Sequence, residues 1–189
     1  MLLNWRASGL FLLAAALLAV AVLAAPSATA SQAATPAAER PAWHSLPLVN
    51  SATGESFTLA DFAGKTVYVE PMATWCTNCR QQMSVIRDEV LGQVDPEQVV
   101  FVGLSVETTL SPEELAAYTA THSFTWTFAV MTPEILEGLA GQFGRSVANP
   151  PAVPSFVISP DGSTSDLSTG FHTGTAVLER LAAASTMQP

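Results

Sequence analysis

The chain has 189 residues, 49% of them hydrophobic, and carries 16 acidic against 7 basic side chains for a net charge of −9. Such an acidic balance leaves no basic stripe for nucleic acid, so that class of partner is excluded. The length allows one ordinary domain, and two cysteines allow a single intrachain pair.

Residues 1–30 read as a targeting segment. Arg6 supplies the positive start, Gly9 to Ala25 is uncharged and apolar, and Ala28-Thr29-Ala30 offers a small-x-small cleavage pattern. The alternative is an uncleaved anchor, since a run of about 17 apolar residues is the short end of a membrane span. Residues 31–42 (SQAATPAAERPA) are small, polar and proline-bearing, a flexible linker. The folded domain is expected over 43–189. Export places it outside the cytoplasm, in the periplasm or on the outer face of the membrane.

Thr66 to Glu70 (TVYVE) is β-branched and aromatic and predicts a buried strand that Pro71 ends. Trp75-Cys76-Thr77-Asn78-Cys79 follows. Arg80 to Leu91 places Met83, Ile86 and Val90 on one helical face, so Cys76 falls at or just before a first helical turn. Val99 to Val106 (VVFVGLSV) is the nearly continuous apolar run of a central strand. Ser111-Pro112-Glu113-Glu114 combines an N-cap serine, proline at N1 and glutamate at N3, predicting a helix to about His122. Phe124, Trp126 and Phe128 alternate as one face of a strand over 124–128. Thr132-Pro133-Glu134 starts another helix ending near Gly144. A strand over 155–158, a tight turn at 159–162, a weak return strand over 165–169 and a helix over 175–184 complete the chain. Strands alternating with helices predict an α/β architecture with parallel strands at its centre.

Two cysteines separated by two residues admit three uses. A staple closing so short a loop removes little unfolded-state entropy and stabilises weakly. A zinc site needs about four ligands; there is no second CxxC, and His44, His122 and His172 are not at ligand spacing. Arg80, not histidine, follows Cys79, so haem attachment is excluded. A redox pair fits the position. A cysteine at a helix N-terminus meets unpaired N–H groups and the positive end of the dipole, which favour thiolate. Cys76 is then the exposed nucleophile, and Cys79, one turn inward, resolves the mixed disulfide.

The segment Ala73-Thr74-Trp75-Cys76-Thr77-Asn78-Cys79-Arg80, following a hydrophobic strand, resembles the active-site segment of thioredoxin-like proteins. The lead-in Phe57 to Lys65 (FTLADFAGK) is similar to the exported branch, the TlpA/ResA-type thiol-disulfide oxidoreductases. The resemblance implies a thioredoxin-like fold, with a central mixed β-sheet flanked by helices, and a redox-active Cys76–Cys79 disulfide with no other cofactor and no metal. It implies that Val153-Pro154 is the cis-proline segment facing the CxxC, its Val153 backbone free to pair with a substrate strand; the alternative is a stiff loop over Pro150 to Pro154. It places Glu70 as a buried acid that exchanges the Cys79 proton, against the alternative of a solvent-facing strand end. Trp75 is expected to cover the disulfide and contribute to docking, unless it is a core aromatic. Thr77 and Asn78 are expected to set the redox poise through hydrogen bonds to sulfur.

Implied partners are exported proteins bearing disulfides, including apocytochrome c or copper-site proteins, and a membrane thiol reductant. The expected state is a monomer. The competing reading is a Sco-like copper carrier on the same fold, which binds metal with two cysteines and a distant histidine, for which His172, in the turn before the last helix, is the candidate. Against it, the spacing is CxxC instead of CxxxC, and the position of that family's histidine falls near Val153 and Pro154.

Overall fold

The computed structural model describes residues 40–186. The targeting segment and most of the linker lie outside the described residues. Among the described residues no helix is long and apolar enough to cross a membrane.

A short 3-10 turn, Ala42–Ser45, leads into a two-stranded antiparallel pair, β1 (Leu48–Val49) and β2 (Ser56–Phe57). Then come β3 (Thr66–Met72), α1 (Thr77–Val85), β4 (Val99–Ser105), α2 (Pro112–Thr121), β5 (Thr127–Val130), α3 (Pro133–Phe143), β6 (Phe156–Ile158) and α4 (Gly174–Ser185). The main sheet has the order β5-β4-β3-β6, with β3, β4 and β5 parallel and β6 antiparallel to β3. This is the expected α/β class with a mixed central sheet.

Strand β3 is buried at every position. It runs through Pro71, contrary to the expectation that proline ends it. The reason is which edge the missing donor faces. The Thr66 amide and the Met72 carbonyl bond toward β4, so the alternate positions Val67, Val69 and Pro71 face β6. That ladder stops at the Val69–Phe156 pair. Pro71 therefore sits where no partner asks for an N–H.

The two faces of β3 bury different cores. Val67 and Val69 join Trp43, Leu48, Leu104, Ile135, Leu139 and Phe156 under α3. Tyr68 packs with Ile86, Val90, Val177 and Leu181 under α4, and Met72 packs with Met83, Leu115, Phe124 and Phe128 under α1 and α2. Gly103 of β4, paired with Glu70, carries the Phe128 ring directly over its Cα, where a Cβ would collide.

Helix starts follow the capping chemistry. Ser111 and Glu114 form a reciprocal capping box at α2, and Pro112 and Pro133 occupy first-turn positions. Gly144 closes α3 at φ 73°. Beyond Val85 the helix does not stop but widens into a π turn, Ile86–Val90, and tightens to a 3-10 turn, Leu91–Gln93. Two expectations are corrected. The aromatic strand starts at Thr127, although Phe124, Trp126 and Phe128 do gather in one ring cluster, with centroids 5.1–6.3 Å apart. No return strand forms over 165–169. Only isolated bridges, Ser155–Ser168 and Ile158–Thr164, occur there, because Ser165 Oγ and its backbone bond irregularly to Val157.

Candidate functional site

The WCTNC segment lies at the carboxyl end of β3, where it meets α1. Such strand ends are where open α/β sheets place their sites. Cys76 is the N-cap of α1: its Sγ accepts the Cys79 backbone N–H at 3.1 Å. The sulfur thus takes one of the orphan amides of the first turn, in the position that favours negative charge. Cys76 and Cys79 are joined as a disulfide with Cα atoms 5.4 Å apart.

Both cysteines are buried, Cys76 at 3% and Cys79 at 0% relative exposure. The expected order holds, but Cys76 is not an exposed residue. It packs into the Met72, Met83, Leu115 and Phe128 cluster together with Cys79. Trp75 is 62% exposed, which excludes the core-aromatic alternative. The indole stands on the surface beside Cys76.

Glu70 is buried within β3, and neither carboxylate oxygen has a hydrogen-bond partner. The solvent-facing alternative is excluded. Burial in this apolar setting pushes its pKa well above the ordinary carboxylate range. Glu70 shares a β3 face with Tyr68 and Met72, the face covered by α1, α2 and α4.

The proline-rich segment meets α1 differently from expectation. Pro150–Ala152 form a 3-10 turn whose carbonyls point at the CxxC helix. The Pro150 carbonyl oxygen lies 3.2 Å from Cys79 Sγ, and the Asn78 side-chain amide donates to the Pro151 carbonyl at 2.9 Å. Val153 is buried in the left-handed region at φ 48°, and its N–H donates to Pro150 O at 2.7 Å. Its amide is therefore not free for a substrate strand. The tight turn bends it inward, and a β-branched residue at positive φ is held there by the surrounding packing. Pro154 is buried behind it. Thr77 is exposed, and neither Thr77 nor Asn78 donates a side-chain hydrogen bond to sulfur; Asn78 serves the proline turn instead.

Three contributors escaped the sequence reading. Glu107, just past β4, accepts the Thr74 N–H at 2.6 Å and the Thr74 hydroxyl at 2.9 Å, pinning the loop that carries Trp75 and Cys76. Its position at the end of a central parallel strand was the available signal. Gln82, fully buried one turn after Cys79, donates to the His172 carbonyl at 3.1 Å and accepts the His172 N–H at 2.7 Å. The Pro150 carbonyl is the third. His172 itself is bonded through Nε2 to Ser168 at 3.0 Å. Burial, then Arg180, lower its pKa. Among the described residues no three His, Cys, Asp or Glu side chains come together as a metal site.

No protein-family model matches the sequence. Solved structures do. A thiol:disulfide interchange protein of the thioredoxin family from Chlorobium tepidum TLS matches with TM-score 0.58 and 22% identity, covering 74% of this chain and 92% of that one. The chain has the thioredoxin-like fold. A secreted disulfide oxidoreductase from Mycobacterium tuberculosis, homologous to E. coli DsbE, shares this thioredoxin-like fold at TM-score 0.53 and 15% identity, covering 73% and 95% of the two chains. So does BsSco, of the Sco family of cytochrome c oxidase assembly proteins, at 0.59 and 16%, covering 76% and 92%.

Proposed function

We propose that this chain is an extracytoplasmic thiol-disulfide oxidoreductase of the TlpA/ResA type that acts on exported proteins as a reductase. The observation that carries the reading is the Cys76 sulfur capping α1 while bonded to Cys79, at the end of the central strand of a thioredoxin-like fold. In the reduced protein, Cys76 thiolate attacks one sulfur of a client disulfide and expels the other as thiolate, giving a mixed disulfide. Cys79 gives its proton to Glu70, attacks Cys76 Sγ and releases the first client sulfur. The client gains two electrons and the protein is left oxidised. Once reduced, Cys79 is placed to donate its S–H to the Pro150 carbonyl, which steadies the resolving thiol between turnovers.

In this reading the exposed Trp75, Thr77 and Asn78 meet the client first, and the buried Val153-Pro154 backbone takes part behind them. Because the Val153 amide is engaged internally, client pairing falls to its carbonyl or requires the turn to open. The chemistry needs no organic cofactor. A membrane thiol donor regenerates the dithiol, and disulfides of apocytochrome c or of copper-site proteins are the clients the resemblance favours. The leader at 1–30 supports an extracytoplasmic location.

The test is the Cys76–Cys79 reduction potential, by equilibration with dithiothreitol. A reductase sits near thioredoxin's value of about −270 mV, and a value near about −120 mV would make it an oxidant. Cys76→Ser must abolish reduction of a disulfide substrate. The Sco likeness motivates a copper control, since soft thiolates suit Cu(I). Tight anaerobic Cu(I) binding that is lost in His172→Ala would replace the oxidoreductase reading with a copper carrier.

A further inference from the structure

The absence of a return strand after β6 leaves a gap beside α4. Residues 163–165 meet β6 through the isolated Ile158–Thr164 bridge and irregular bonds between Ser165 and Val157. The α4 side chains that share this wall, Ala183 and Ala184, are small. Between them lies a cavity of about 330 Å³. That is within the range of about 300–1,000 Å³ typical of small-molecule sites. The cavity lies away from the redox pair. Its Val157 wall pairs with Tyr68 in the first half of β3, whereas Cys76 and Cys79 follow the carboxyl end of that strand. Its one charged wall residue is Arg180.

Arg180 is a half-buried cation without an anion. Its Nη1 donates to Ser155 Oγ at 2.7 Å and its Nη2 to the Ser155 carbonyl at 3.2 Å, and the guanidinium carbon stands 5.6 Å from the Tyr68 ring centroid. These partners are all uncharged. Among the described residues the ion pairs are Lys65–Glu97 and Arg87–Asp88, so no carboxylate meets Arg180. Withdrawing a charge from water without a counter-charge is costly. Ser155 takes only part of the guanidinium's donor set. Ser155 and Tyr68 also fix the head in place, so little side-chain freedom is left to lose when a ligand arrives.

We propose that this cavity binds a small amphiphilic monocarboxylate, its carboxylate on Arg180 and its hydrocarbon body against Val157, Ala183 and Ala184. A guanidinium matches the planar fork of a carboxylate, and the apolar wall gains from covering a short alkyl or aromatic body. The hydroxyls of residues 163–165 are already engaged. Ser165 Oγ accepts the Val157 N–H and donates to the Asp166 carbonyl, Thr164 Oγ1 meets His44 Nε2 at 3.4 Å, and Ser163 donates its N–H and its hydroxyl to Asp161. They offer little to a polar ligand body. The Asp161 carboxylate beside Ser163 also disfavours a second negative charge, which selects a monoanion over a dianion such as phosphate. The site stands independently of the oxidoreductase reading.

The experiment is calorimetric titration of the full chain with hexanoate, hexan-1-ol and inorganic phosphate at neutral pH, for wild type, Arg180→Gln and Ala183→Leu. Hexanoate should bind wild type with a Kd of about 1 mM or tighter, and hexan-1-ol and phosphate about tenfold more weakly or worse. Arg180→Gln should weaken hexanoate by about tenfold or more, the loss of a charge-assisted contact. Ala183 is exposed at the cavity wall, so Ala183→Leu fills the space while leaving Arg180 and its Ser155 bonds in place. It should weaken hexanoate to a similar degree, and where Arg180→Gln lowers the melting temperature, Ala183→Leu decides alone. Absence of saturable heat with hexanoate up to about 10 mM overturns the site. So does hexan-1-ol or phosphate binding as tightly as hexanoate, or hexanoate affinity unchanged in Ala183→Leu or in a folded Arg180→Gln.

Discussion

Asn78 and Pro151 hold the CxxC helix against the proline turn: the Asn78 side-chain amide donates to the Pro151 carbonyl at 2.9 Å. Because this bond joins two backbone segments and not a sulfur, Asn78→Ala should act on stability more than on redox poise. A loss of about 0.5–1.5 kcal/mol is expected, the usual net value of one hydrogen bond. Urea unfolding should show a lower midpoint at unchanged slope. The reduction potential should shift by less than about 30 mV, equivalent to about 1.4 kcal/mol.

Glu70→Gln should separate stability from rate. The folded-state pKa of Glu70 is raised, so proton binding stabilises the fold at low pH, and that contribution fades as pH rises above the unfolded value of 4.5. The variant should therefore be the more stable form at pH 7, by no more than about 1.4 kcal/mol for each pH unit above the unfolded carboxylate range. The advantage should shrink below the unfolded carboxylate range. Disulfide exchange should slow by about 100-fold. Chemical denaturation at two pH values and a stopped-flow trace check both.

Burial, then Arg40, lower the His44 pKa to about 4 from 6.5. Its folded pKa is depressed, so the unfolded chain takes up the proton first. Stability is fully present above about pH 6.5 and declines as pH falls toward 4. The slope should not exceed about 1.4 kcal/mol per pH unit for one proton. His44→Gln should flatten that limb when unfolding midpoints are followed from neutral pH downward.

Glu107→Ala removes both anchors of Thr74, with a loss of about 1.5–3 kcal/mol expected for hydrogen bonds to a charged group. The Cys76 alkylation rate should become less selective over Cys79, because the loop feeding the N-cap is released. Glu107→Gln, which keeps one acceptor oxygen, should recover most of the selectivity. Mass spectrometry after a brief iodoacetamide pulse on the reduced protein reads this out.

Much of the fold was legible because local chemistry is strong where elements start. The Ser111-Pro112-Glu114 box and the Thr132-Pro133 cap mark α2 and α3 within the sequence itself. The Val99 to Ser105 run is apolar because both faces of β4 are covered. What stayed hidden depends on partners distant in sequence. Pro71 continues β3 because β6 ends early, which no local pattern encodes. The Glu107–Thr74 anchor joins residues on separate elements and has no periodic signal. The pair Cys76 and Cys79 was visible from spacing alone, while their burial arises from α1 and α2 packing with Phe124 and Phe128 around them.

The wide turn at Ile86–Val90 carries one residue more than an α-helical path between the same ends requires. Glu89 lies within it, and its carboxylate accepts the Gly174 N–H at 3.2 Å at the start of α4. Excising a single residue there would restore ordinary winding and turn the following side chains by about 100° around the axis. The last helix would lose its clasp although no cysteine-bearing turn had been altered. Chains of this architecture that lack the extra residue must therefore fasten their final helix by other means.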